Sequence, residues 1–305
     1  MITPGLLRRS FRRALQWRFL VLWLLLVALP AAVALIPAWR FLYARLGTSP
    51  RAQQVAAFLD SHAVADLVKQ LTQTRAASAF EAGALGAVIF AVLCMPIGAG
   101  AAIALGRAEE TLRFRTLLAG AAEYYGRMLR MLLVALIPLG AAAAGAAGLS
   151  RAAAKAAEHA VLESQALRYG RAAALAGAVL WFVAQVTVDA GRAAFAVDPQ
   201  RRSAWRAWWS GVRLLAHRPW RTLLAGAAPL ALAALGAALL LALRLRIHQA
   251  GGVSLAFAFL LAELAVAAVG WNRAARLVAL AELMRADAAD RAARQRLSAP
   301  PPSVT

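Results

Sequence analysis

The chain has 305 residues, 62% of them hydrophobic, with 34 basic side chains against 14 acidic ones and a net charge of +20. That apolar share excludes a soluble domain of ordinary composition, and arginines beside apolar runs suit lipid headgroups better than nucleic acid. A single cysteine, Cys94, excludes an intramolecular disulfide and a cysteine-based metal cage.

The amino-terminal arginines Arg8, Arg9, Arg12 and Arg13 precede a first apolar stretch at 17–38. It looks like a signal peptide, but it is longer than an ordinary signal core. Pro30 and Pro37 interrupt it and no convincing small-x-small cleavage site follows, so it is read as an uncleaved span. Five more stretches follow at 79–105, 127–149, 170–196, 220–246 and 252–281. Each approaches or exceeds the roughly 20 residues that carry a helix across about 30 Å of hydrocarbon. Lipid offers the backbone no water, so such segments must satisfy their own hydrogen bonds as helices. The expected fold is all-α: a polytopic bundle of six transmembrane helices, with amphipathic interfacial helices in the connectors. It forms one membrane domain over 1–285, followed by a tail over 286–305 whose proline-rich end is predicted to be disordered.

In the first connector, Val55, Phe58 and Leu59, then Val64, Leu67, Val68 and Leu71, recur at helical spacing and predict two surface helices. The second connector, Thr111 to Met128, is read as a surface element with Tyr124 and Tyr125 as interfacial aromatics. The fourth has the most texture. Asp198 is placed as a helix cap with Pro199 as the first helical residue, and Pro219 closes the helix. Trp205, Trp208, Val212 and Leu215 are assigned to one face, with Arg202, Arg206, Arg213 and His217 towards the other. Tryptophan favours the headgroup level and neighbouring arginines reach phosphates, so Arg201, Arg202, Trp205, Arg206, Trp208 and Arg213 are the candidate lipid or partner contacts.

Orientation follows from arginine placement. The amino-terminal segment, the second and fourth connectors and the tail hold 23 of the 34 basic residues, counting Arg192, Arg273 and Arg276 among them. The richer side faces the cytoplasm, which puts both termini inside.

The chain also matches itself at an offset of 91 residues. Arg127, Arg130, Leu132, Leu133, Pro138 and Leu139 align with Arg218, Arg221, Leu223, Leu224, Pro229 and Leu230, and Gly100 aligns with Gly191. Pro138 and Pro229 are each expected to remove one amide from a span and bend it. Gly83-Ala84-Leu85-Gly86, Gly98-Ala99-Gly100 and the run from Gly140 to Gly148 supply small residues for close helix approach.

Chemistry is sparse. Glu263 lies well inside the sixth span, and Asp189 lies near the end of the fourth with Gln185 one turn before it. Carboxylates at that depth mark a candidate intramembrane polar site, Gln185, Asp189 and Glu263, as a permease would need. His62, His159, His217 and His248 fall in four different connectors, so no metal site is expected. No nucleophile-elbow or phosphate-cradling pattern is present, so neither a cofactor nor an enzymatic activity is expected.

Three elements carry a resemblance: Glu123-Tyr124-Tyr125-Gly126-Arg127-Met128-Leu129-Arg130, then Val188-Asp189-Ala190-Gly191-Arg192 through Asp198 with Arg201-Arg202-Ser203-Ala204, and His217-Arg218-Pro219. In these the chain resembles a group of uncharacterised bacterial six-span membrane proteins. More distantly it is similar to the membrane domain attached to some glycerophosphodiester phosphodiesterases. The resemblance spans most of 75–285 and implies a membrane bundle without a catalytic domain, so no activity is carried over. The expectation is a bacterial inner-membrane protein that organises anionic lipids, or a partner membrane protein or second copy of itself, through its basic elbows.

Overall fold

The computed structural model describes residues 10–47, 76–108, 110–160, 162–247 and 252–298. Among the described residues the chain is helical throughout, without strands. After a short helix at 10–14 come α1 (Trp17–Leu46), α2 (Ala76–Arg107), α3 (Phe114–Glu158), α4 (Glu163–Val197), α5 (Ala204–His217), α6 (Pro219–Leu245) and α7 (Gly252–Ser298). Among the described residues, all except the short helix and α5, six helices in all, are long and apolar enough to cross a membrane. The predicted surface helices between residues 48 and 75 lie outside the described residues, as does the predicted disordered end.

The helices outrun the apolar stretches. α3 begins at Phe114 rather than 127 and ends at Glu158 rather than 149, and α7 continues to Ser298. Sequences such as Arg151-Ala-Ala-Ala-Lys155-Ala-Ala-Glu158 are polar yet made of strong helix formers, so hydropathy marks where lipid ends and not where the helix does. α3 and α7, at 45 and 47 residues, are each about 70 Å long. The helices also run through Pro30, Pro37, Pro96, Pro138 and Pro229 without a break.

Chain neighbours pack side by side, and α7 closes the bundle against α6, α4, α2 and α1. The continuous core sits at one end only. It gathers Phe19 and Leu22, Ala101 to Leu105, Leu117 to Met131, Ala190 to Ala196, Ala204 to Leu214, and Ala274 to Met284. The other half presents large apolar side chains outward, among them Leu136, Ile137, Leu175, Leu239 and Phe259. Lipid as the solvent makes such a surface ordinary. The small residues divide accordingly. Gly83 meets Pro37, Gly98 meets Trp23 and Gly100 meets Ala121, whereas Gly140 and Gly148 have nothing near them.

Two of the closest crossings repeat at the 91-residue offset. A Cβ on Gly100 would lie 2.9 Å from Ala121 Cα, and one on Gly120 would lie 2.5 Å from Ala104 Cβ. In the second copy, a Cβ on Gly191 would lie 2.8 Å from Trp208 Cα, and one on Gly211 would lie 2.5 Å from the Thr187 carbonyl oxygen. Each glycine pair lets the helix that enters an elbow touch the segment that leaves it at backbone distance. Moved back by 91 residues, α5 falls on 113–126, the opening turns of α3.

Candidate functional site

The fourth connector differs from its prediction at both ends. Asp198 terminates α4, and its Oδ1 accepts the Gln200 N–H at 3.1 Å in a local turn. Ser203 is the actual cap of α5, its Oγ accepting the Arg206 N–H at 3.3 Å. α5 ends at His217, because Pro219 keeps Arg218 out of the helical conformation (φ −137°, ψ 59°) and then opens α6 as its first residue.

The buried face of α5 is made of Ala204, Ala207, Gly211 and Leu214, not of the tryptophans. Small side chains win that face because Gly211 must lie on the α4 backbone. Trp205 and Trp209 remain exposed at 50% and 45%. Trp208 is half-buried and donates its indole N–H to Thr187 Oγ1 at 3.2 Å, which clips α5 to α4. The three indoles form a row, with centroids 4.9 Å apart for Trp205 and Trp208 and 6.2 Å apart for Trp208 and Trp209.

Between α5 and the last turns of α7 lies an open groove of about 1560 Å³. Five of the six predicted contact residues line it: Arg201, Arg202, Trp205, Arg206 and Arg213. Trp208 alone faces the bundle. Across the groove stand Asp287, Asp290 and Arg291 of α7. Arg218 bridges to Asp287 at 2.8 Å and Asp290 at 2.7 Å, and Arg291 reaches Asp287 at 2.9 Å. The hydrogen bond to Asp290 raises the Arg218 guanidinium above its ordinary value; partial desolvation opposes this and nearby Asp287 adds to it. Arg201 pairs with Asp198 at 3.4 Å and donates to Ser210 at 3.0 Å. Arg202, Arg206 and Arg213 have no side-chain hydrogen bond or ion pair among the described residues. Three free guanidiniums beside two exposed indoles can take an anionic group that carries an apolar body.

Many of the other arginines hold the bundle together. Arg285 donates to the Gly106 and Ala196 carbonyls at 2.9 and 3.5 Å, satisfying the ends of both α2 and α4. Arg13 pairs with Glu282 at 3.1 Å, and Arg127 donates to the Pro199 carbonyl at 2.7 Å. Tyr124, predicted at the interface, is fully buried with its hydroxyl against Arg107, while Tyr125 donates to the Leu93 carbonyl at 3.3 Å. The predicted surface element is therefore the packed start of α3.

The intramembrane candidates are not one site. Asp189 pairs with Arg192 at 2.9 Å and with Arg276 of α7. Glu263 lies 13 residues before Arg276, about 20 Å along the helix. It is half-buried, with no polar partner among the described residues. Gln185 is half-buried one turn before Asp189. Arg192, Arg273 and Arg276, counted from sequence with the connectors and tail, belong to the bundle. The richer side still holds 20 basic residues against 11 without them. Sequence reading missed the Asp189–Arg276 pair because its partners lie 87 positions apart. An arginine inside the apolar run at 252–281 was the available signal.

No known family, curated protein or solved structure matches this chain.

Proposed function

We propose that this chain is a non-enzymatic protein of the bacterial inner membrane, with both termini cytoplasmic, that gathers anionic lipid at the groove between α5 and α7. The observation that carries this reading is the set of three unpartnered guanidiniums, Arg202, Arg206 and Arg213, flanked by the exposed rings of Trp205 and Trp209. The arginine asymmetry supports the orientation. A phosphate would neutralise the basic wall, while the indoles sit at the level where headgroup meets acyl chain.

The test is lipid retention after reconstitution in mixed anionic and zwitterionic nanodiscs, read by native mass spectrometry. The triple variant R202Q/R206Q/R213Q is expected to lose most of the anionic enrichment while keeping the fold. An unchanged lipid profile overturns the proposal. If lipid is unchanged but a cross-linked protein neighbour disappears, the groove docks a partner instead. The permease alternative, centred on Glu263 and Asp189, has less support, because Asp189 is committed to Arg276 and Glu263 lies about 20 Å away.

A further inference from the structure

A polar layer forms the floor of the core, facing the half of the bundle whose apolar side chains point outward. Trp23, Asp189 and Arg273 follow or precede by one residue the core members Leu22, Ala190 and Ala274. Arg276 is 6% exposed and pairs with Asp189, which also holds Arg192. Arg273 lies within electrostatic reach of all three and stacks on the Trp23 ring at 5.0 Å. Two guanidiniums thus pair with one carboxylate and a third lies near it, leaving two positive charges unbalanced among the described residues. Unbalanced charge at that depth is costly unless an anion or water meets it.

The hydrogen-bonding pattern has the same bias. The buried Trp23 Nε1 and Arg276 Nε have no hydrogen-bond partner among the described residues. Arg273 keeps exposed surface and has no ion pair or hydrogen bond among them. Trp23 on α1, Arg273 stacked on its ring, and Arg276 one turn further along α7 thus each keep an N–H group without an acceptor among the described residues. Gly98 and Gly270 both lie against the Trp23 ring and seat the indole between α2 and α7. Asn272, also 6% exposed, adds an Oδ1 with no partner. One acceptor among several donors suits an oxyanion that can carry a proton.

We propose that Trp23, Arg273 and Arg276, with Asn272, form an intramembrane anion site that takes a phosphate group. The phosphate comes either from a lipid headgroup drawn between the helices or from solution. This site is separate from the groove and does not depend on it.

The experiment is a thermal-shift titration of the full chain in neutral detergent. Four probes are compared: inorganic phosphate, dioctanoyl phosphatidic acid, dioctanoyl phosphatidylcholine, and sodium chloride at matched ionic strength. Each is run on the native chain and in the R202Q/R206Q/R213Q background, so a failure here leaves the groove reading intact. Stabilisation by phosphate and phosphatidic acid supports a site open to solution; stabilisation by phosphatidic acid alone supports a lipid-supplied phosphate. In either case Arg273→Gln is expected to weaken the response about tenfold in the groove-variant background. If that variant does not fold, Trp23→Phe keeps an aromatic ring there, removes one donor, and should weaken it about threefold. No stabilisation by either anion overturns the proposal, as does undiminished affinity in the folded variant.

Discussion

The two elbows, 91 residues apart, share a frame and end differently. In both, a glycine pair brings the incoming helix onto the outgoing segment at backbone distance. In the first, Met128 lets that segment run on as α3. Two of its cations turn inward, Arg107 on the Tyr124 hydroxyl and Arg127 over the Tyr124 ring at 5.1 Å and onto the Pro199 carbonyl, while Arg113, Arg115 and Arg130 stay exposed. In the second, Pro219 stands where Met128 stands in the first, and the helix breaks into α5 and α6. Phe114 and Leu118 are replaced by Trp205 and Trp209, and a groove with three unpartnered arginines opens beside the break. One imino acid and two indoles separate a helix that runs on from a broken one with a groove beside it. Charge count alone does not distinguish them, because both elbows are arginine-rich.

The most direct way to break this comparison is to copy the proline. Met128→Pro removes an interior helix hydrogen bond and crowds the preceding turn at a site only 2% exposed, so it should destabilise by about 3 kcal/mol or more. Thermal unfolding in detergent reads this directly, and a loss below about 1 kcal/mol would mean that the continuity of α3 does not close the first elbow.

Next in size is Gly211→Ala. Its Cβ would meet the Thr187 carbonyl oxygen at 2.5 Å and the Gly191 nitrogen at 2.7 Å, both rigid backbone. A cost of about 1–3 kcal/mol is expected. Gly126→Ala, with nothing within 4 Å, should be neutral or slightly stabilising by helix propensity. Equal behaviour of the two variants would remove the glycine crossing from the shared frame.

The smallest expected effect sharpens the difference. Trp208→Phe loses the bond to Thr187 and about 1 kcal/mol, and should loosen α5 from α4 more than it changes the rest of the bundle. Hydrogen exchange localised to 204–217 would show it.

The spans were legible because lipid imposes a length and an apolar run of about 20 residues is hard to mistake. Five groove residues were legible for a related reason: tryptophan next to arginine is an interfacial signature. The capping of α5 was misread because Asp198-Pro199 imitates a helix start, while Ser203 is the residue that makes the bond. The buried face of α5 was not legible, because the crossing at Gly211 that admits only small side chains is set by the α4 backbone and not by any spacing within 204–217. Arg276 and Arg285 were assigned to a tail since their partners, Asp189 and the carbonyls of Gly106 and Ala196, come from distant helices. Local periodicity carries no trace of such partners.

α7 is unbroken from Gly252 to Ser298, and this ties two places together mechanically. Arg276, on the polar floor, and Asp287, on the groove wall, are 11 residues apart on one rod, about 16 Å. A displacement of α7 along its own axis that drew Asp287 from Arg218 would therefore also carry Arg276 past Asp189, so both ion pairs resist the same sliding motion.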